Sequence, residues 1–194
     1  MVLGVAAAVL VIAGAVLVPV LLFDDDEGDS AVDGDPTTSE STTTDRTLDA
    51  VEEFEDLSAD HTEDDQDYPQ SPAVGGPHSS SWLDCGAYDE PVREENVVHD
   101  LEHGTVWITY EPGLDDESVA ALEELLPQNG ILSPYDGLRA PVVVTVWGRQ
   151  LELTGPDDPR LELFIENFGA GETAPEPMAS CAGGIDNPGS GAAA

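Results

Sequence analysis

The sequence contains no lysine, and its only basic residues are five arginines. Against them stand 41 aspartates and glutamates, which give a formal net charge of −36 at pH 7. A chain this acidic repels polyanions, so we expect no nucleic-acid partner. Its self-repulsion weakens a compact state unless salt screens it. Two explanations stay open: a halophilic adaptation to high salt, or a genome that replaces lysine with arginine combined with an acidic tether.

Cysteine is also scarce, with Cys85 and Cys181 alone in the chain. In an oxidising compartment an even count indicates a disulfide, which would tie the start of the folded domain to its end. In a reducing compartment the two thiolates would instead suit metal ligation beside the histidines. We favour the disulfide.

Charge is absent from residues 2–23, which are almost entirely apolar. As a helix, 22 residues span about 33 Å, enough to cross the hydrocarbon core of a bilayer. The h-region of a signal peptide is shorter, and no A-x-A-like cleavage site precedes the acidic run that begins at Asp24. We therefore expect an uncleaved single-pass anchor in the cell membrane, with the C-terminal domain outside the cytoplasm.

The remaining composition predicts three further regions. Residues 24–47 are rich in Asp, Gly, Ser and Thr, which is typical of a disordered acidic linker. We expect a folded domain over residues 48–183 and a disordered tail over residues 184–194. Within the domain, apolar residues at three-residue steps over 47–57 suggest a short amphipathic helix.

The hydrophobic pattern predicts an α+β domain. Helical patterns alternate with short β-like runs, and the Pro- and Gly-rich stretch 58–81 reads as an irregular arm. We expect a small mixed sheet of about four strands with two to three helices. The helices are predicted near 94–103, 115–126 and 158–168, and the strands near 105–111, 131–133, 141–148 and 149–154.

Two of the four histidines, His99 and His103, lie four residues apart in the first predicted helix. A period of 3.6 residues puts both imidazoles on one face, and Gly104 is suited to end the helix. His61 and His78 lie on the irregular arm, which can fold back over this helix. If Cys85 bonds to Cys181, the tail with Met178 comes near as well. Imidazole ligands suit zinc or copper, and a thioether favours Cu(I).

Two other interpretations of these histidines stay open. They can simply pack and hydrogen-bond, with a protonated His103 favoured at the helix C-terminus. The segment also reads H-x-x-E-H, the pattern of one class of zinc peptidases in which Glu102 would be the catalytic base. An acid at that position arises easily in so acidic a chain, and the domain is small for a peptidase cleft. We therefore name no catalytic residue and lean away from an enzyme.

An ordered string of motifs resembles the DUF3105 family, over about residues 58–183. The matching stretches are Tyr68-Pro69, Gly75–His78, Cys85–Pro91, Val98–Trp107, Leu132–Tyr135 and Trp147-Gly148. In that family the stretch before the second histidine is usually similar to P-P-T-S-G-P-H, and only its Gly-Pro-His core is kept here. The resemblance implies a bacterial extracytoplasmic domain, often membrane-anchored, with no established activity.

These observations favour a membrane-anchored domain that binds a copper or zinc ion through its histidines, as a carrier, sensor or accessory domain. The first alternative is a metal-free module for a protein partner, in which the histidines are structural. A small zinc hydrolase comes third.

The anchor generates the first testable prediction. Residues 2–23 should keep the full chain in the membrane fraction after a carbonate wash, because an uncharged span of this length inserts stably. Replacing Val11 and Ala15 with aspartate should release it, since each charge at mid-span costs roughly 3 kcal/mol. Recovery of the unaltered chain in the wash at full length would contradict an uncleaved anchor.

Overall fold

One mixed sheet of six strands organises residues 46–186, the part of the chain that the computed structural model describes. Three helices accompany the sheet within this range. The elements in chain order are β1 (Glu52–Glu53), β2 (Gly86–Ala87), α1 (Glu94–Glu102), β3 (Val106–Tyr110), α2 (Asp116–Leu125), β4 (Gly130–Pro134), β5 (Val142–Val146), β6 (Arg149–Leu153) and α3 (Arg160–Phe168).

The strands lie in the order β1-β6-β5-β3-β4-β2. β3 and β4 are parallel, and α2 makes the crossover connection that a parallel pair requires. β5 runs antiparallel to β3, and β6 returns beside β5 through the turn at Trp147-Gly148. The two-residue strands β1 and β2 cover the edges, antiparallel to β6 and parallel to β4 respectively.

Alternation along the strands gives the sheet two buried faces. In β3, Val106 and Ile108 point into one core and Trp107 points into the other. The first core includes Leu122 of α2 and Phe164 of α3. The second core lies against α1 and the arm, and its other buried members are Ala73, Leu83, Val97, Val98, Leu101, Ile131 and Trp147. The candidate histidines therefore belong to the layer on this second face.

The end of α1 is set by a close approach of two backbones. Gly104 has a φ of +86°, and a Cβ at this position would lie 2.8 Å from the Cα of Gly171. Only glycine satisfies both conditions without strain. The helix thus ends at Glu102, with His103 as its C-cap, while the later segment around Gly171 passes directly beside Gly104.

The fold class is α+β as predicted, but the sheet has six strands instead of about four. The three helices and the four longer strands occur close to their predicted positions. The two extra strands, β1 and β2, are only two residues long. Strands this short are defined by their pairing with β6 and β4. They are too short to show the alternation of apolar and polar residues from which a strand is predicted.

The predicted amphipathic helix over 47–57 is wrong. The segment contains β1 and turns, and its apolar residues divide between the two cores. Leu48 and Val51 pack against the first core, while Leu57 packs against the second. The chain therefore wraps over the edge of the sheet beside β6, with the Phe54 N–H bonded to the Gly148 carbonyl at 2.9 Å. A straight helix cannot reach both faces.

The two ends of the chain bear on other predictions. The anchor over 2–23 and nearly all of the linker lie outside the described residues. Within residues 46–186, no helix is both long and apolar enough to cross a membrane. Ile185, which falls in the predicted tail, forms a bridge with Leu83 and packs against the second core.

Asp158 holds the start of α3 and generates a stability prediction. Burial alone would raise its pKa, but hydrogen bonds from Arg160 and Thr154 outweigh that effect and hold the pKa well below the usual range. Asp158→Asn should lower the free energy of unfolding by roughly 2 kcal/mol at pH 7, because it removes the buried carboxylate that accepts hydrogen bonds from the partly exposed Arg160 side chain.

The sign of the pH dependence follows from the lowered pKa. The carboxylate stabilises the fold above the unfolded pKa of about 3.9, and this contribution disappears only as pH falls through the lower folded value. Urea unfolding of Asp158→Asn at pH 7 and pH 3 should therefore show a smaller deficit at the lower pH. The exposed neighbour variant Asp157→Asn is the matched control. An equal deficit in both variants would refute the assignment.

Candidate metal centre

The arm of residues 58–81 lies along α1 and is hydrogen-bonded to it. The Ser79 N–H donates to the Glu95 carbonyl at 3.1 Å, and the Asn96 side chain donates to the Ser81 carbonyl at 2.6 Å. The Gln66 N–H donates to the Glu95 carboxylate at 2.7 Å. These bonds bring the irregular segment over the helix face that carries His99 and His103.

Within the arm, His61 and His78 are brought side by side by a parallel bridge between two separate stretches. The Thr62 N–H donates to the His78 carbonyl at 2.7 Å, and the His78 N–H donates to the Asp60 carbonyl at 3.0 Å. The His61 side chain is 52% exposed, whereas that of His78 is fully buried. The arm thus delivers one imidazole at the surface and one below it.

All four histidines meet in one cluster. The ring centroids of His61, His78 and His99 are 4.9–5.1 Å apart, and those of His99 and His103 are 4.6 Å apart. The ring centroid of Trp82, a residue that no sequence motif points to, lies 5.5 Å from that of His99 and 5.6 Å from that of His103. An indole beside two rings shields them from water on that side.

Backbone carbonyls fix the orientation of two of these rings. Nδ1 of His78 lies 2.8 Å from the Gly76 carbonyl, and Nδ1 of His99 lies 2.7 Å from the Ser79 carbonyl. A carbonyl oxygen only accepts, so Nδ1 must carry the proton in both rings. In the neutral imidazole, Nε2 then keeps its lone pair. This is the arrangement in which a histidine is held ready to bind a metal ion.

Each of these Nε2 atoms lies close to a second atom that could bind a metal ion. Nε2 of His78 lies 3.1 Å from a carboxylate oxygen of Glu102, and Nε2 of His99 lies 3.2 Å from Nε2 of His103. Each contact can be held by a proton, which a neutral His103 can supply from its own Nε2, or by a bound cation. Two ligand atoms of a tetrahedral zinc ion, each about 2.0–2.1 Å from the metal, are themselves about 3.3 Å apart. The observed spacings fit that geometry.

Burial keeps the two helix histidines neutral. It lowers the pKa of His99 to about 4, against the opposing effect of the Ser79 hydrogen bond, and the neighbouring histidines lower it further. Burial likewise lowers the pKa of His103, although Glu102 and Glu176 act in the opposite direction. Burial therefore works against a protonated His103 at the helix C-terminus. A neutral imidazole binds a metal without first releasing a proton.

The side of the cluster at His103 has partners that the sequence did not indicate. Glu176 lies 3.8 Å from Nε2 of His103, and its N–H donates to the Glu102 carbonyl at 3.0 Å. Nδ1 of His103 is buried and has no hydrogen-bond partner among the described residues. Met178 is 96% exposed and lines a cavity of about 280 Å³ together with His103. The thioether therefore lies beside the cluster instead of inside it.

The possible ligands form two overlapping groups of three. His61, His78 and His99 form one, which we call the outer triad, and His99, Glu102 and His103 form the other, the inner triad. In each group the ligand atoms lie within 4.8 Å of one another. Glu102, named from the sequence only as a catalytic base, thus stands where a ligand would stand. The Glu102 carboxylate also contacts Nε2 of His78. It would have to give up this contact in order to act as a base on a water molecule.

The disulfide joins the tail to this region. Cys85 and Cys181 form a disulfide, with 5.1 Å between their Cα atoms. The two sulfur atoms are therefore not available as thiolate ligands for a metal ion. Nearby, the Gly183 N–H donates to the Asp84 carboxylate at 2.8 Å. The buried Asp100 accepts from the Leu83 N–H at 3.0 Å, and burial raises the pKa of Asp100 well above its usual range. The tail that carries Glu176 is therefore held against α1.

A larger cavity, about 580 Å³, lies elsewhere, where the parallel strands β3 and β4 end at Tyr110 and Pro134. Its lining contains four carboxylates and no histidine. The cluster and this cavity are therefore separate features of the domain.

Residues 61–183, more than half of the chain, match the family model DUF3105, described as a protein of unknown function. The chain belongs to this family, as the motif string predicts. Neither a curated protein nor a solved structure matches it. All four histidines and both cysteines fall within the matched residues, so the cluster lies in the family domain.

The disulfide generates a prediction about stability. Replacing both Cys85 and Cys181 with serine should lower the free energy of unfolding by about 4–5 kcal/mol, as the chain-entropy model gives for a loop of this length. Urea titration with and without a reductant measures the loss. The reductant should destabilise the natural protein and leave the double variant unchanged. If the reductant does not lower the free energy of unfolding of the natural protein, the disulfide contributes nothing to its stability.

Proposed function

We propose that this protein binds one transition-metal ion, copper or zinc, through its histidine cluster. It would act as a carrier, a sensor or an accessory domain. The observation that carries this proposal is the convergence of four imidazoles and the Glu102 carboxylate in two groups of three, in each of which the ligand atoms lie within 4.8 Å of one another. A metal ion can bind the three donors of a group at once, whereas a hydrogen bond joins them only in pairs.

The choice of metal follows from the donors. Imidazole nitrogen suits zinc and copper, and a single carboxylate adds a hard oxygen that both accept. Metals such as calcium and magnesium prefer sites built of oxygen ligands, so this mainly nitrogen set disfavours them. The exposed edge of His61 offers an entry for the ion.

We further propose that the site acts outside the cytoplasm, on a domain held at the membrane by residues 2–23. The disulfide supports an oxidising compartment, because such bonds persist there. The uncharged N-terminal stretch supports an anchor. A metal centre so located would meet ions that enter from outside the cell.

The alternative is a module for a protein partner whose histidines are structural. It has support of its own, since the Nδ1 bonds of His78 and His99 also brace the arm against α1. The two proposals differ in their outcomes. Loss of a structural histidine lowers stability and changes no metal signal, whereas loss of a ligand lowers affinity.

The test is a metal titration of the full chain in detergent, after treatment with a chelator. Zn(II), Cu(II) and Cu(I) are titrated against the natural protein and His99→Ala, with the metal content measured by mass spectrometry. We expect one ion per chain. His99→Ala should weaken binding by more than the 10–100-fold that loss of a partner outside the ligand set typically costs.

The matched control is Asp136→Asn, which removes an exposed carboxylate that lines the larger cavity and is not part of the histidine cluster. Thermal unfolding is measured on all three proteins. If the natural protein binds no ion more tightly than His99→Ala, while that variant melts at a lower temperature, the histidines are structural and the partner-module alternative takes its place.

A further inference from the structure

His99 is common to both triads, and it can serve only one of them at a time. Its Nδ1–H donates to the Ser79 carbonyl at 2.7 Å, so Nε2 is the one ring nitrogen with which His99 can bind a metal ion. One lone pair binds one metal ion. The outer and inner triads therefore cannot both be filled through His99, although each offers three donors.

The two triads differ in exposure and in chemistry. The outer triad has three nitrogens and includes the half-exposed His61. The inner triad has two nitrogens and one oxygen, and its ligands His99, Glu102 and His103 lie on or directly after α1. His103 also borders the cavity with Met178, on the side held by the tail. The outer triad thus contacts solvent through His61, and the inner triad borders a separate cavity through His103.

Glu102 connects the two positions. It is a ligand candidate of the inner triad, and one of its oxygens lies 3.1 Å from Nε2 of His78 and 3.8 Å from Nε2 of His61 in the outer triad. Since a carboxylate has two oxygens, it can stay in contact with an ion on either side. An ion moving between the triads therefore keeps His99 as a ligand, and Glu102 lies close enough to the outer triad to receive it.

We propose that the cluster is a two-position site, in which a single metal ion enters at the outer triad and shifts to the inner triad without leaving the protein. This inference rests on the proposed metal-binding function and makes the centre a transfer site rather than a permanent one. The ion is captured by nitrogen ligands at the surface, and it then exchanges His61 and His78 for Glu102 and His103. Release follows on the side of the cavity next to His103.

The experiment follows Cu(II) binding to the full chain in detergent, by stopped-flow absorption and by electron paramagnetic resonance. The natural protein should bind one ion in two phases. The first should speed up with copper concentration, and the second should be independent of it because the shift is intramolecular. His103→Gln should keep the first phase and lose the second, leaving a spectrum of three nitrogen ligands. His61→Ala should slow capture and give a spectrum of two nitrogens and an oxygen.

Several outcomes would overturn the two-position site while leaving metal binding intact. These are two ions bound per chain, a single phase in the natural protein, or identical spectra for the two variants. Loss of binding in His61→Ala as complete as in His99→Ala would point to one fixed site. His61 is half exposed, so this variant should fold, and thermal melts check both variants. If the natural protein binds no copper, the two-position site fails, and if it binds no zinc either, the proposed function fails with it.

Discussion

The hydrogen bond from Nδ1 of His99 to the Ser79 carbonyl is the contact on which the candidate centre depends. It joins the helix that carries two of the imidazoles to the arm that carries the other two. It also decides which nitrogen of His99 remains free. Without it the arm would lose its link to the middle of the cluster, and the ring could present either nitrogen. One interaction therefore sets both the assembly of the site and its chemistry.

The cluster is an unusual environment within this protein. The chain has a net charge of −36, yet the site is built mainly from uncharged nitrogens, and burial keeps His99 and His103 neutral. The negative field of the whole molecule attracts cations towards it. In the proposed function, the donors of the cluster would decide which of these cations stays. The acidic surface would attract cations in general, and the buried rings would select among them.

The sheet supports this arrangement from below. One of its faces packs against α2 and α3 in a hydrophobic core, and the other carries α1, the arm and the histidines. The disulfide adds a third support, since it holds the tail with Glu176 beside His103. A site made from an irregular arm needs such anchoring, because the arm has little regular hydrogen bonding of its own.

Much of the architecture could be predicted from local patterns. The spacing of apolar residues indicated α1, α2, α3 and the four longer strands, and the four-residue step from His99 to His103 indicated a shared helix face. Such features depend on neighbours within a few residues, so sequence alone determines them. The motif string likewise indicated the family. The helix predicted over 47–57 failed because its apolar residues serve two different cores on opposite faces of the sheet.

Only the tertiary structure decided how the distant pieces meet. The bridge between His61 and His78, the shielding by Trp82 and the approach of Glu176 all join residues far apart in the chain. No local periodicity encodes such contacts, because they arise from the way whole segments pack. The sequence by itself determined which donors this protein possesses. The packing of the arm and tail on α1 decided that they form two triads sharing a single nitrogen.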